Sequence, residues 1–460
     1  MSIPAPPFTP FLGARIAVVG LGRAGLPAAL RLAGWGAEIE AWDDEEARRR
    51  EAAEAGLTLR DPAEGRFRAD ALLLSPGIPH RFPKPHRAAA AAQQAGAPIL
   101  CDVEFLYRAV LAAQSGARFV GITGTNGKST TTALINHMLV RAGREAEVGG
   151  NLGPPALGLN ILGSGGVYTL EMSSYMLERI ATLRFNVAVM LNLSPDHIDR
   201  HGSMAGYAAA KANIFARQGT GDVAVLGQDD PMTVAMAPRI AGRIVPISGH
   251  APQPGGIWAD GRMLRDDAGV ILPLDEAPAL PGRHNAQNAA AAAAVGFALG
   301  LTRREVADGI ATYPGLPHRQ ERVGTARGVV FVNDSKATNA DSAARALASY
   351  DRVVWIAGGM AKEGGIEGLA PLFPRIARAF LIGRDAPAFA ATLAAHGVPH
   401  EVVDTLDAAV PAAAEAAFAG AAPVVLLSPA CASWDQFTGF DARGDRFRDL
   451  VAGLLAGRAA

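Results

Sequence analysis

The segment from Arg118 to Thr130 constrains this chain more than any other. Residues 118–122 form an apolar run that reads as a strand. It empties into Thr123-Gly124-Thr125-Asn126-Gly127-Lys128-Ser129-Thr130, ahead of a helical stretch. A strand that turns through glycines into a helix presents backbone amides to an anion, with a lysine and a hydroxyl beside them. Ile122 occupies the position where the strict phosphate-loop pattern has its first glycine. The working parts remain: Gly124 and Gly127 free the backbone, Lys128 can neutralise phosphate oxygens, and Ser129 offers a hydroxyl to magnesium.

The rest of the composition narrows what such a loop can serve. At 460 residues the chain is too long for one ordinary core, and two or three domains are expected. A net charge of -1 gives no overall attraction to nucleic acid or an anionic membrane, so an anionic ligand must be held by local groups. Cys101 and Cys431 are the only cysteines; they have no metal spacing, no disulfide framework is expected, and a cytoplasmic location fits. The first residues carry prolines where a signal peptide needs an apolar run. The alanine-rich stretch at 286–301 is too short for a membrane span and reads as a packed helix, so no span is expected.

Strand and helix signals alternate along the whole chain, which points to an α/β fold. Residues 15–20 end in Gly20-Leu21-Gly22-Arg23-Ala24-Gly25, then a helix runs to about residue 34 and a strand covers 38–44. Asp43 lies where a ribose-binding acid sits in dinucleotide folds, although the same glycines serve equally as a tight structural turn. A strand at 71–74 runs into Ser75-Pro76-Gly77-Ile78 at the carboxyl edge of that sheet, where open α/β sheets bind ligands. Strands at 329–332, 353–356, 379–383 and 424–427 predict a third domain with a mostly parallel sheet. No solenoid-type repeat is apparent.

Polar residues gather at several of these strand exits. Glu171 ends a strand at 168–170, as a magnesium ligand or as an acid capping the next helix. The run at 185–191 opens into Asn192-Leu193-Ser194-Pro195-Asp196-His197-Ile198-Asp199-Arg200-His201, suited to magnesium or phosphate, or to a helix start capped by Ser194. Lys211, between alanines on a helical stretch, reads by itself as solvated. Asn285 and Asn288 share one helix face and suit base, ribose or phosphate recognition, with capping by Asn285 as the alternative. His318-Arg319 follows the junction Pro314-Gly315-Leu316-Pro317, where an arginine can swing onto a γ-phosphate as domains close. In the third domain Lys336 and Lys362 suit the two carboxylates of an acidic amino acid, with Thr338 and Ser433 adding hydrogen bonds.

Together these motifs resemble the Mur ligase family over essentially the whole chain. The general signals are Gly124-Thr125-Asn126-Gly127-Lys128-Ser129, Glu171, Asp196-His197 and His284-Asn285-Ala286-Gln287-Asn288. Those typical of glutamate addition are Asn333-Asp334-Ser335-Lys336-Ala337-Thr338-Asn339 and Leu427-Ser428-Pro429-Ala430-Cys431-Ala432-Ser433; the Asp-Asn-Pro-Arg motif of relatives that add diaminopimelate or lysine is absent. The resemblance implies a three-domain architecture: a Rossmann-like domain for a UDP-linked substrate (1–112), a phosphate-loop ATPase domain (113–315) and a Rossmann-like amino-acid domain (316–460).

By the same resemblance, Lys128 and the loop through Thr130 bind ATP, together with Asn285, Asn288, Arg319 and Asp334. Ser129 and Glu171 hold one magnesium; His197 and Lys211, the latter carbamylated, serve a second. Gly22, Arg23, Ser75 and Asn151 face the UDP-linked substrate, and Lys336, Thr338, Lys362, Ser433 and Phe440 surround D-glutamate. The implied reaction joins D-glutamate to UDP-N-acetylmuramoyl-L-alanine through an acyl phosphate, by a cytoplasmic monomer of peptidoglycan synthesis. Alternatives are an L-glutamate-adding variant and a folylpolyglutamate-type ligase. An NAD-dependent oxidoreductase leaves the second phosphate loop idle, and a nucleotide sensor leaves the third-domain cluster without a purpose.

Overall fold

A computed structural model describes residues 8–361 and 364–456. One compact unit runs through Ala277 and resumes over His284–Tyr313; the other comprises Pro278–Arg283 and the chain from Pro314 onward. Among the described residues there are three large sheets, two of them in the first unit.

The N-terminal sheet has strands β1 (Arg15–Val19), β2 (Glu38–Trp42), β3 (Ala71–Leu74) and β4 (Ile99–Leu100), all parallel in the order β2-β1-β3-β4. β1 and β3 are apolar because helices cover both faces of a parallel sheet. Val19 pairs with both Trp42 and Leu74, so the Gly20 turn and Ser75 leave the sheet side by side.

The central sheet has nine strands: β5 (Arg118–Thr123), β6 (Ala146–Gly150), β7 (Val167–Glu171), β8 (Val187–Met190), β9 (Val223–Gly227), β10 (Arg243–Ser248), β11 (Ile257–Asp260), β12 (Met263–Asp266) and β13 (Gly269–Pro273). Their order is β13-β12-β11-β10-β9-β8-β5-β7-β6, parallel except for the antiparallel β11-β12-β13 edge. Nothing in the sequence patterning announced that edge, whose short strands are half exposed and alternate irregularly. Ile122 pairs with Glu171 and Thr123 with Met190, which sets the phosphate loop between the exits of β7 and β8. The helix Arg283–Ala298 fills the space behind, with Ala289 to Ala293 fully buried, as expected of a packed helix. Among the described residues no helix is long and apolar enough to cross a membrane.

In the second unit β14 (Glu321–Ala326) and β15 (Val329–Asn333) form a hairpin, followed by β16 (Val353–Gly358), β17 (Met360–Ala361), β18 (Ile376–Ile382), β19 (His400–Asp404), β20 (Val424–Leu427) and β21 (Cys431–Ala432). The main sheet runs β14-β15-β20-β16-β18-β19, parallel apart from the β14 edge. The short strands β17 and β21 pair antiparallel. The predicted strands lie within a few residues of β15, β16, β18 and β20; β14 and β19, which are exposed edges, and the two-residue β17 and β21 were not foreseen.

The helix Gly25–Gly34 starts so close to β1 that a Cβ on Gly25 would overlap the Gly20 carbonyl oxygen. Helix propensity alone would make Gly25→Ala stabilising by about 1 kcal/mol. The overlap reverses the sign, and a loss of about 2 kcal/mol or more is expected. Urea unfolding followed by the fluorescence of Trp35 and Trp42 checks this; an unchanged or raised midpoint would contradict it.

Candidate active site

The phosphate loop is shaped by its neighbours. Gly124 and Gly127 take φ of +151° and +82°, conformations that side chains resist. A Cβ on Gly127 would also collide with the Asn288 side chain. Asn192, at the exit of β8, holds the loop from both sides: its Oδ1 accepts from the Asn126 amide at 2.9 Å and its Nδ2 donates to the Asn126 carbonyl at 3.2 Å. Gln287 accepts from the same Nδ2 at 3.2 Å. The Thr125 hydroxyl donates to the Ser194 carbonyl and accepts from its amide, so Ser194 braces the loop. The helix after it, Ile198–His201, instead has His197 at its N-cap in a left-handed conformation with no side-chain cap.

Lysines 128 and 211 converge on this loop. Lys128 Nζ donates to the carbonyls of Gly124 (3.0 Å) and Thr125 (2.9 Å). Lys211 Nζ donates to Gly124 O at 2.8 Å and to the Thr123 hydroxyl at 3.2 Å. The solvated lysine that its alanine neighbours suggested is therefore a buried one, on the inward face of helix Met204–Ala212 and over the Tyr207 ring. Burial, then the Lys128 charge, holds its amine well below the usual lysine range, while Asp196 and Glu171 act the other way.

Glu171 is buried at the end of β7. Its Oε1 accepts from Asn151 Nδ2 at 2.6 Å, and its Oε2 has no hydrogen-bond partner. Ser129 is buried and Thr130 half-buried in the first turn of helix Lys128–Arg141. His197 is half exposed beside Asp196 and Tyr175; burial lowers its pKa, opposed by Asp196. Asn285 lies inside its helix and accepts from Asn288 at 2.9 Å, while Asn288 accepts from Thr131 at 3.1 Å. Among the described residues no group of three or more His, Cys, Asp or Glu forms a metal cluster. A magnesium ion that keeps waters and phosphate oxygens as ligands does not need one.

A second cavity, of about 160 Å³, is lined by Arg23, Pro76, Asn151 and Met176 among others, so residues far apart in sequence meet there. Arg23 donates to Gly153 O at 3.2 Å. Gly22 sits against Arg48, and the Ser75 hydroxyl donates to Gly20 O at 2.7 Å, bracing the first glycine turn. Asp43 does the same from the other side, accepting from the amides of Leu21 (2.6 Å) and Glu45 (2.9 Å).

In the second unit, Asp334 follows β15 and is buried; its Oδ2 accepts from Ser428 at 2.7 Å and its Oδ1 from the Gln320 amide at 3.2 Å. Burial pushes it up to about 7, against those hydrogen bonds and the Arg319 charge. The Lys336 ammonium lies 3.7 Å from the Phe440 ring centroid. Thr338 donates its amide to Lys336 O at 2.8 Å, and Ser433 is buried just after β21. Lys362 lies outside the described residues. Arg443, which the sequence reading did not single out, donates to the Ser335 hydroxyl (3.0 Å), Ser335 O (2.9 Å) and Cys431 O (3.1 Å). It ties the segment after β15 and strand β21 to helix Phe440–Ala456; as one arginine in that helix it carried no local signal. Asn192 and Gln287 lay in noted runs, but their partners are set by sheet order.

Fold and loop together define an α/β enzyme of the phosphate-loop class. Residues 122–296 match the Mur ligase middle domain, and residues 318–431 match the Mur ligase, glutamate ligase domain. The chain is 49% identical to the UDP-N-acetylmuramoylalanine--D-glutamate ligase of Paramagnetospirillum magneticum over 97% of its length and 98% of the relative's. It is 47% identical to the ligase of that name from Rhodospirillum rubrum, over 99% and 98%. The chain belongs to the Mur ligase family. In fold it resembles the UDP-N-acetylmuramate-alanine ligase MurC of Thermotoga maritima, with a TM-score of 0.59 at 18% identity over 95% of this chain and 99% of that one.

The position of Asp334 generates a pH prediction. The folded carboxyl keeps its proton to about 7, whereas the unfolded chain releases it near 3.8. The folded state then binds more protons between these values, so this contribution is complete below about pH 4 and lost as pH rises through 7. Up to about 4 kcal/mol is involved. Asp334→Asn is expected to flatten the decline in urea stability over that window; wild-type and variant curves that stay parallel would contradict it.

Proposed function

We infer that the chain is an ATP-dependent ligase that joins D-glutamate to UDP-N-acetylmuramoyl-L-alanine in peptidoglycan precursor synthesis, releasing ADP and phosphate. The observation that carries this is 49% identity to ligases of that name across nearly the whole chain. The phosphate loop between β7 and β8, with Glu171 at the neighbouring strand end, is the chemistry such a reaction needs.

In the first step a carboxylate oxygen of the L-alanyl group attacks the γ-phosphorus of ATP. The new O–P bond forms as the bond to the β-phosphate oxygen breaks, giving an acyl phosphate and ADP. The loop amides and Lys128 bear the charge spread over the transferring oxygens. The amine of D-glutamate then attacks the acyl carbon; a C–N bond forms, the C–O bond to phosphate breaks, and the nitrogen loses its extra proton.

The unpartnered Oε2 of buried Glu171 fits a cation, with the Ser129 hydroxyl beside the phosphates as its second ligand. Magnesium there would screen phosphate charge. His197 and Lys211 are assigned to a second ion. A neutral Lys211 amine can add to carbon dioxide, forming an N–C bond and releasing a proton, which would leave a carbamate anion suited to that role. Asn285, Asn288, Arg319 and Asp334 complete the ATP contacts. Gly22, Arg23, Ser75 and Asn151 take the UDP-linked substrate, and Lys336, Thr338, Ser433 and Phe440, with Lys362, take D-glutamate. We assign the enzyme to the cytoplasm, as a monomer.

Phosphate release from ATP with UDP-N-acetylmuramoyl-L-alanine tests the reading, comparing D-glutamate, L-glutamate and no amino acid. Release is expected only with D-glutamate, and Lys128→Met is expected to lower kcat by about a hundredfold or more. Turnover with L-glutamate instead would change the acceptor, and none with either would overturn the substrate assignment.

A further inference from the structure

Arg179 is among the largest fully buried side chains, at 1% exposure, yet no carboxylate bonds it directly among its recorded hydrogen bonds. Its guanidinium faces the N-terminal sheet's exit loop, Nε donating to His80 Nδ1 at 3.4 Å and the Nη atoms to backbone carbonyls. Nη1 donates to Leu74 O at 2.8 Å and Ser75 O at 2.9 Å, and Nη2 to Ile78 O at 2.5 Å. Arg200 adds a second cation on the same loop, donating to Ile78 O at 3.0 Å and Phe82 O at 2.7 Å. A reciprocal anchor runs the other way. Glu104, buried in the N-terminal helix Asp102–Ala112, accepts from the amides of Ala181, Thr182 and Leu183.

Burying a guanidinium costs several kcal/mol, and an apolar side chain of similar volume would pack more cheaply. What the arginine supplies is direction. Fanned donors hold three inward-turned carbonyls in one arrangement, which dispersion contacts cannot do. The carbonyls of Leu74, Ser75 and Ile78 bracket Pro76 and Gly77, and Pro76 lines the cavity that Arg23 and Asn151 also line. Arg179 itself follows the short helix Ser174–Leu177, whose Met176 lines the same cavity and which begins just after Glu171.

We propose that Arg179 is a positioning residue. By gripping the carbonyls of Leu74, Ser75 and Ile78 it sets the Pro76 wall of this cavity against the strand that ends in Glu171, and so governs affinity for the nucleotide-linked substrate. The affinity part rests on the reading of this cavity as the UDP-substrate site; the grip itself does not.

The test uses the full chain with Arg179→Met, which keeps the stem and removes the donors, and Arg179→Lys, which keeps the charge. Hydrogen–deuterium exchange without ligand is expected to speed up about tenfold or more across residues 74–82 in Arg179→Met, with residues 118–130 unchanged. The KM for UDP-N-acetylmuramoyl-L-alanine is expected to rise about tenfold, the KM for ATP to stay within about twofold, and Arg179→Lys to fall between. Unchanged exchange over 74–82 would overturn the proposal. So would a proportionate loss of every kinetic constant with protection lost throughout, which marks a merely structural role. If Arg179→Met does not fold, Arg179→Lys carries the same comparison. A loosened loop in a protein whose wild type does not use the UDP-linked substrate would uphold the grip and overturn the substrate reading instead.

Discussion

The hold that β8's exit and helix Arg283–Ala298 keep on the backbone of residues 124–127 is the interaction on which the rest of the first unit depends. Two glycines at positive φ are entropically costly to order, and within the loop the Lys128 ammonium bonds the Gly124 and Thr125 carbonyls. Asn192 grips Asn126 from both sides, and Asn288 fills the space that a Gly127 side chain would need. The Thr125 and Asn126 amides both donate to Asn192, so protein contacts alone fix the backbone of the loop. Pre-organisation of this kind is what makes a set of weak donors effective on a dispersed negative charge.

The same loop explains the burial of Lys211. Its ammonium is satisfied by the Gly124 carbonyl and the Thr123 hydroxyl, but the Lys128 ammonium shares the Gly124 carbonyl. Two cations around one carbonyl, one of them fully enclosed, favour loss of a proton from the enclosed one. Glu171 shows the complementary condition: one carboxylate oxygen is satisfied by Asn151 and the other is left open inside the protein. Asp334 is a third buried ionisable group at the carboxyl edge of a parallel sheet, here just after β15.

Much of this was legible along the chain, and the reason is local. Glycine spacing, the apolar strands before it and the lysine and serine after it all fall within a dozen residues, so the phosphate loop and the strands β1, β3, β5, β8 and β20 could be read directly. Glu171 and Asp334 were visible as acids at strand ends. Strands β10 to β14 were not, because short, half-exposed strands carry a weak period-two signal.

Sequence by itself determined the family, the α/β class and the glycine-rich loop with its lysine and serine, since each depends on residues close together in the chain. Only the tertiary structure decided what those groups experience. Lys211 looked solvated until β5 and helix Met204–Ala212 enclosed it. Asp43, Ser75 and Ser194, candidates for ligands or caps, are occupied in bracing turns. Arg179 and Arg443 had no signal at all, because Leu74, Ser75 and Ile78 for the one and Ser335 for the other lie about a hundred residues away. Burial, charge coupling and hydrogen-bond direction are properties of neighbours in space, and sheet order, not chain order, chooses those neighbours.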